Sequence, residues 1–397
     1  MVALATLATL LVAGIASLFM AWAIGAGSSG STPFAPAVGA NAISVMRAGF
    51  VVGLLGFAGA TLQGANVTEA VGTELIGGVA ITPAAAIVGL LTAATLVAIG
   101  VFTGYPIATA FTVTGAVVGV GLALGGDPTW AKYRQIAILW IATPFVGGGI
   151  AYATARLLRA EHVSERIVVP TLAGVIGVLL ANIEFAMLGG DGSGGTVAGE
   201  VASALSLPTL GSVDVGWLLA TLALAIAAAA LLAWDASRDA EASLQRFLLV
   251  LGGLVAFSAG GSQVGLAIGP LVPLLDTVRI PLWALLAGGG LGLLAGSWTG
   301  APRMIKAISQ DYSSLGPRRS IAALIPSFAI AQAAVAFGIP VSFNEIIVSA
   351  IVGSGYAAGG SGVSRRKMLF TVLAWAGSLV LALVVSYAGF RLVDVVI

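Results

Sequence analysis

The chain has 397 residues, 59% of them hydrophobic and 8% charged, with a mean hydropathy of +1.08 and a net charge of +1. Helices of that composition cannot face water on their outer surfaces, so the chain reads as an all-α, multi-pass protein of the cell membrane, and its small net charge gives no basic field for nucleic acid. The absence of cysteine excludes disulfides, iron–sulfur clusters and thiolate metal sites, and the single histidine, His162, stands in the charged stretch RLLRAEHVSER as a loop residue that cannot build a metal centre.

A helix crosses roughly 30 Å of hydrocarbon with about 20 apolar residues. Runs of that kind are predicted over 2–25, 43–64, 78–101, 131–157, 167–189, 213–234, 245–259, 279–300, 319–337 and 368–392. The first, Met1 to Gly25, lacks a basic leading region and a cleavage-like site and reads as a retained helix. GAGSSGSTPFAPAVGA follows it as a small-residue interruption. The segments 104–125 and 340–359 are apolar but opened by proline and rich in glycine, which predicts re-entrant hairpins or short broken helices. SAGGSQVGLAIGPLVPLLD, from Ser258 to Asp276, is predicted as a second break, and irregular backbone at membrane depth is tolerated only where protein buries it or a polar cavity adjoins it. The glycines of AGGGLGLLAG at 287–296 carry no phosphate-loop word and read as a helix contact face, and Asp276 with Arg279 reads as an interfacial ion pair.

Arg156, Arg159 and Arg166 flank one seam and Arg238 and Arg246 another, whereas the glycine-rich seam from Gly189 to Gly211 has no Lys or Arg. The bias of basic residues places the first two seams in the cytoplasm, the glycine-rich seam outside, and the loop Ala301 to Ser320 inside by counting crossings. The side of Arg365, Arg366 and Lys367 depends on whether the preceding hairpin crosses or returns.

The chain repeats. Pro36 and Pro270 stand 234 positions apart, as do Pro106 and Pro340 within GYPIATAFTVTGAVVG and GIPVSFNEIIVSAIVG, and ILWIATP around Trp140 corresponds to VLAWAGS around Trp375. Three ordered anchors at a near-constant offset predict a duplication: a first transmembrane repeat over 1–160, connecting helices and loops over 161–243, and a second repeat over 244–397.

GGSQVGLAIGP from Gly260, the stretch from Gly296 to Phe328, and GIPVSFNEIIVSAIVG from Gly338 together resemble the inorganic phosphate transporter (PiT) family, which repeats a G-A-N-D-V-A-N-A signature in each half, followed by a P-V-S-T-T-H hairpin. The resemblance implies an inverted-repeat secondary transporter with broken helices, moving phosphate with sodium or protons, with a sulfate-transporting branch and a homodimeric assembly also in view. At the signature positions this chain carries Ser28-Ser29 and Ser262-Gln263, so both aspartates are absent, and Gly56 stands where many relatives have glutamate. These departures weigh against sodium coupling.

An oxyanion inside a membrane protein needs donors to replace its water, and helix N-termini and hydroxyls supply them without the cost of a buried arginine. The candidate binding residues are Ser28, Ser29, Ser31 and Thr32 in the first break, Gly260, Gly261, Ser262 and Gln263 in the second, and Thr109, Thr112, Ser342 and Asn344 in the hairpins. Carrying a divalent anion into a cell held 100 mV negative costs about 4.6 kcal/mol, at about 2.3 per charge, so accumulation needs a co-moving cation or another gradient. Glu345 is the leading candidate for a coupling proton and Glu69 the second, with Glu184, near Asn182, between structural pairing and function. A donor-only shell suits sulfate, while the resemblance and an acceptor at Glu345 favour phosphate, which is the first reading. A facilitative anion channel is the alternative class; an enzyme is not expected, since no nucleophile–base pair or metal cluster stands in the sequence.

Overall fold

Ten helices among the described residues of the computed structural model are long and apolar enough to cross a membrane. The structure describes residues 2–161, 163–185, 188, 195–275, 280–360 and 363–396, so His162, Asp276 and Arg279 lie outside the described residues. The first half comprises α1 (Val2–Gly27), a short α2 (Ala35–Gly39), α3 (Val45–Gln63), α4 (Ala65–Thr73), α5 (Pro83–Thr103), α6 (Thr109–Ala123) and α7 (Trp130–Leu157). α8 (Glu165–Asn182), α9 (Val197–Leu205) and α10 (Val215–Arg238) follow, with α8 packed on α10. The second half comprises α11 (Ala240–Ile268), a 3-10 turn (Gly269–Leu274), α12 (Leu282–Thr299), α13 (Ala301–Asp311), α14 (Pro317–Ala336), α15 (Phe343–Tyr356) and α16 (Arg365–Val396). Among the described residues three two-residue strand pairs pin loops, Ile76–Gly77 against Asp127–Pro128 being one of them.

α11 and α14 are the interior helices, each 72% buried over its most apolar window, whereas α7, α10 and α16 are 22% buried and turn side chains such as Phe145, Ile226 and Val384 outward. In water such a surface would aggregate; in a bilayer it is solvated by lipid.

The second expected break is displaced. α11 continues as an α-helix through Gly260, Gly261, Ser262 and Gln263 and gives way to the 3-10 turn only at Gly269. The glycines there serve helix contact rather than bending: a Cβ on Gly260 would strike the carbonyl of Gly56, and one on Gly59 the carbonyl of Phe257, so α3 and α11 run in near-backbone contact. The first break is real, with α1 ending at Gly27 and residues 28–34 forming turns. The glycine-rich seam likewise contains structure that composition hid, the helix α9 with its threonine cap at Thr196.

The two segments expected as hairpins or broken helices are short helices entered by an extended turn. α6 has 15 residues and α15 has 14, a rise of about 22 Å at most, short of a full crossing. Each turn starts on a glycine with left-handed backbone, Gly104 at φ +75° and Gly338 at φ +56°, a conformation that other residues adopt only with strain. Each short helix packs on the long helix that closes the other half, α6 on α16 and α15 on α7. The exchange is reciprocal in detail: Trp140 Nε1 donates to the Pro340 carbonyl at 2.8 Å and Trp375 Nε1 to the Pro106 carbonyl at 2.8 Å.

α15 returns to the side from which α14 came, and this places the basic cluster before α16. Ser364 N donates to the Tyr312 carbonyl at 3.2 Å and Lys367 pairs with Asp311, so Arg365 to Lys367 sit at the same end as the Ala301–Ser320 loop. Arg318 pairs with Glu165, and Arg159, Leu244 and Arg319 border one cavity, which brings the 158–166 seam and the start of α11 to that end as well. By the Lys and Arg bias this is the end expected in the cytoplasm.

Candidate functional site

At the centre of the protein, the first break, α11 and the turns before α6 and α15 converge. Gln263 Oε1 accepts from Thr109 Oγ1 at 2.7 Å and from Ser28 Oγ at 3.2 Å, while its Nε2 donates to the Val341 carbonyl at 2.5 Å. Thr109 opens α6 and Val341 precedes α15, so one carboxamide ties the entrances of both short helices. Asn344 closes the arrangement, its Nδ2 donating to the Gly27 carbonyl at 2.9 Å and the Ile107 carbonyl at 2.6 Å. Ser28, Thr109, Gln263 and Asn344 are all 0% exposed, so the cluster is shut off from both faces.

The same region holds polar groups that nothing in the protein satisfies. Ser262 Oγ, Ser342 Oγ, Asn344 Oδ1 and Glu345 Oε2 are buried without a hydrogen-bond partner. Neither Ala108 nor Ser342, the residues that cap α6 and α15, makes a side-chain capping bond. Orphan N–H groups at a buried helix N-terminus carry the positive end of the helix dipole, and two such ends facing one point make an anion-binding environment. Unsatisfied hydroxyls are costly in a native interior unless a ligand completes them.

Not every expected residue reaches this point. Ser31 and Thr32 spend their hydroxyl donors on the Ser28 carbonyl, at 3.1 and 3.0 Å, and Thr112 spends its own on the Ala108 carbonyl at 2.9 Å. They shape the turns and present no free donor. Ser29 is 2% exposed in the break. Gly260 and Gly261 face α3, where a Cβ on Gly261 would come within 2.8 Å of the Gln63 side chain, so they set helix spacing rather than approach a ligand. Glu69 lies on the exposed side of α4, and the acidic group at the end of that helix that finds a cation is Glu74, bound to Lys132 at 2.6 Å. Glu184 is exposed as well; its backbone carbonyl, not its carboxylate, accepts from Gln63 Nε2 at 2.6 Å. Asn182 donates to the Val178 carbonyl and Thr221. Glu345, 2% exposed, sits one residue past Asn344 and borders an apolar crevice of about 850 Å³ between α7 and α16.

A second polar node escaped the sequence reading. Gln332 Nε2 donates to Gln63 Oε1 at 3.2 Å and to Ser258 Oγ at 2.7 Å, joining α14, α3 and α11. Its signal was present as lone glutamines inside otherwise apolar runs, ATLQG and IAQAA.

The model of the phosphate transporter family matches residues 24–386. The chain belongs to the phosphate transporter family. It is 26% identical over 413 residues to a protein of Thermococcus kodakarensis provisionally named a phosphate permease, with 98% of each chain covered. It is also 24% identical to the chloroplastic inorganic phosphate transporter 2-1 of Arabidopsis thaliana, covering 90% of this chain and 67% of that one. A solved structure titled the sodium-dependent phosphate transporter has the same fold, with a TM-score of 0.79 at 22% identity over 98% of this chain and 100% of that one. Ser29 and Gln263, the positions at which the resemblance led one to expect aspartate, carry no carboxylate, and Gln263 is the hub of the central cluster.

Proposed function

We propose that this chain is a secondary active transporter that moves inorganic phosphate across the cell membrane by alternating access, with a proton as the coupling cation. The observation that carries the proposal is the meeting of the α6 and α15 N-termini at Gln263, with the Ser262 and Ser342 hydroxyls buried and unpaired beside them. Membership of the phosphate transporter family supports phosphate as the substrate.

The residues divide the work by chemistry. Helix N-terminal N–H groups and the hydroxyls of Ser262 and Ser342 donate to the anion; Thr109 and Ser28 reach it by exchanging their bond to Gln263 for one to substrate. Asn344 Oδ1 is an unpaired acceptor, fit for a phosphate O–H. The two helix ends contribute roughly half a positive charge each, which offsets a monovalent anion and leaves a divalent one in need of a proton. Glu345 is the carboxyl next to the cluster, and its unpaired Oε2 is placed to carry that proton. A sodium site at the signature would rest on the neutral oxygens of Ser28, Thr109 and Gln263, a weaker ligand set than one with carboxylates. The reciprocal packing of each short helix on the other half supports rocking of two inverted repeats about the cluster.

Uptake of labelled phosphate into proteoliposomes, under an imposed pH gradient or an imposed sodium gradient, tests the proposal. Uptake driven by the pH gradient and competed poorly by sulfate is the expected result. Uptake that follows sodium alone removes the proton assignment, and uptake of sulfate in preference to phosphate removes the substrate. Conductance without counterflow of trapped label would make the protein a channel.

A further inference from the structure

We infer that Lys132 and Lys367 are the outer and inner gate latches of this protein, positioning residues that each hold the turn leading into one half's short helix against the other half. The inference rests on the alternating-access reading above. The two lysines stand 235 positions apart, one near the start of α7 and one near the start of α16, as do Trp140 and Trp375 in those same helices.

Lys132 is 7% exposed, and its Nζ lies 2.6 Å from Glu74 Oε2 and 3.1 Å from the Gly338 carbonyl. Gly338 is the left-handed turn residue after α14, four positions before Ser342, which caps α15. Lys132 therefore ties the end of α4, in the first half, to the entrance of the second half's short helix. At the opposite face Lys367 repeats the arrangement with the halves exchanged. Its Nζ lies 3.1 Å from Asp311 Oδ2, at the end of α13, and 4.2 Å from the centroid of the Tyr105 ring. Tyr105 follows the left-handed Gly104, four positions before Thr109, which opens α6.

The choice of an ionic tie at both places has a physical reason. In each case the carboxylate belongs to the lysine's own half and holds the ammonium in place, while the ammonium itself makes the contact to the other half, with the Gly338 carbonyl or the Tyr105 ring. On opening, that contact is exchanged for water and the ion pair stays, so the latch has two discrete states, closed and dry or open and wet. An apolar contact at the same place would have to expose hydrocarbon to open into a water-filled vestibule. Lys132 is the more enclosed of the two, with its side chain 8% exposed against 18% for Lys367. Both ties are made in this structure, in which Ser28, Thr109, Gln263 and Asn344 are 0% exposed, the arrangement expected when both gates are shut.

The absence of native cysteine makes the test direct. Ser262→Cys puts a single thiol at the buried cluster, and its labelling by a membrane-impermeant anionic methanethiosulfonate is followed from each face of vesicles of known sidedness. Adding Lys132→Met is expected to raise the labelling rate from the outside about tenfold and leave the inside rate unchanged; Lys367→Met is expected to do the reverse. Where either methionine variant fails to reach the membrane, Glu74→Gln and Asp311→Asn release the same latches from the partner side. Lysine to arginine at either position is expected to hold the labelling rate near that of the single-cysteine protein. Both methionine variants raising labelling from the same face, or neither changing it, overturns the inference. The labelling needs no phosphate, and uptake is measured separately on the parent with Ser262 in place, so opposite-sided labelling beside a parent that moves no phosphate would sink the transport reading alone, whereas parental uptake of phosphate with unmoved labelling would sink the latches alone.

Discussion

Replacing Gln263 by leucine keeps the side-chain volume nearly constant and removes every polar tie that the residue makes. The bonds lost are the acceptor contacts to Thr109 at 2.7 Å and Ser28 at 3.2 Å and the donor contact to Val341 at 2.5 Å. At roughly 1 kcal/mol net for each, the two short-helix entrances lose about 3 kcal/mol of mutual fixation, which corresponds to a shift of roughly 100-fold in the population of the assembled site. The loss falls on organisation of the empty site, and a bound anion restores part of it by taking the bonds of Ser28 and Thr109. The expected outcome is therefore a KM for phosphate raised by one to two orders of magnitude with a smaller change in the maximal rate, measured as initial uptake in proteoliposomes over a substrate titration. Thermal unfolding in detergent should show a smaller stabilisation by a given phosphate concentration in the variant than in the parent, because weaker binding to the folded state raises its stability less. Gln263→Glu keeps both hydroxyl contacts but sets a second acceptor, with negative charge, against the Val341 carbonyl and the incoming anion, and should be at least as damaging. A Gln263→Leu protein with parental KM and parental unfolding would refute the assignment of Gln263 as the hub.

Ser262→Ala and Ser342→Ala remove hydroxyls that have no partner, so each should leave thermal stability unchanged or slightly raised while weakening phosphate by roughly 1.5–3 kcal/mol, the range for a hydrogen bond to a charged group; uptake titrations beside melting curves separate the two effects. Glu345→Gln should abolish the response of uptake to an imposed pH gradient and also the labelling of the protein by a hydrophobic carbodiimide, which reaches the carboxyl through the apolar crevice. Gly353→Ala should destabilise by about 1–3 kcal/mol, because the new methyl would meet the Gly148 backbone where α15 rests on α7, and a lowered melting temperature with reduced yield is the measurement. Trp375→Phe should weaken the seat of the first short helix by removing the bond to the Pro106 carbonyl, seen as faster hydrogen exchange at Ala108 to Thr112.

Much of the architecture was legible because a bilayer demands long apolar runs and little else. The ten runs read from composition correspond to ten helices, with their ends shifted where the pattern was ambiguous; α11, for example, reaches from Ala240 to Ile268 rather than 245 to 259. The break over 28–34 was legible because small hydroxyl residues cluster there with Pro33, and Pro36 follows close behind. The second break was misplaced for a physical reason: glycine in GGSQVG weakens a helix in water, but in close contact with Gly56 and Gly59 it allows two backbones to approach, and packing outweighs propensity. Hydroxyl-bearing residues posed the same ambiguity, since Thr112 and Thr109 are alike in sequence and only the fold spends one on its own helix and aims the other at Gln263.

Composition alone settled that the chain lives in a membrane, because a surface this apolar has no other stable solvent. The offsets of 234 residues between the prolines and 235 between Trp140 and Trp375 led to the expectation of two related halves, because such spacing can outlast the side chains between the anchors. Which donors share a cavity, which glutamate is buried, and which end holds Arg365 to Lys367 were decided in three dimensions. Each depends on contacts between residues more than 50 positions apart, such as Ser28 with Gln263 and Lys367 with Asp311, and no local pattern encodes such partners.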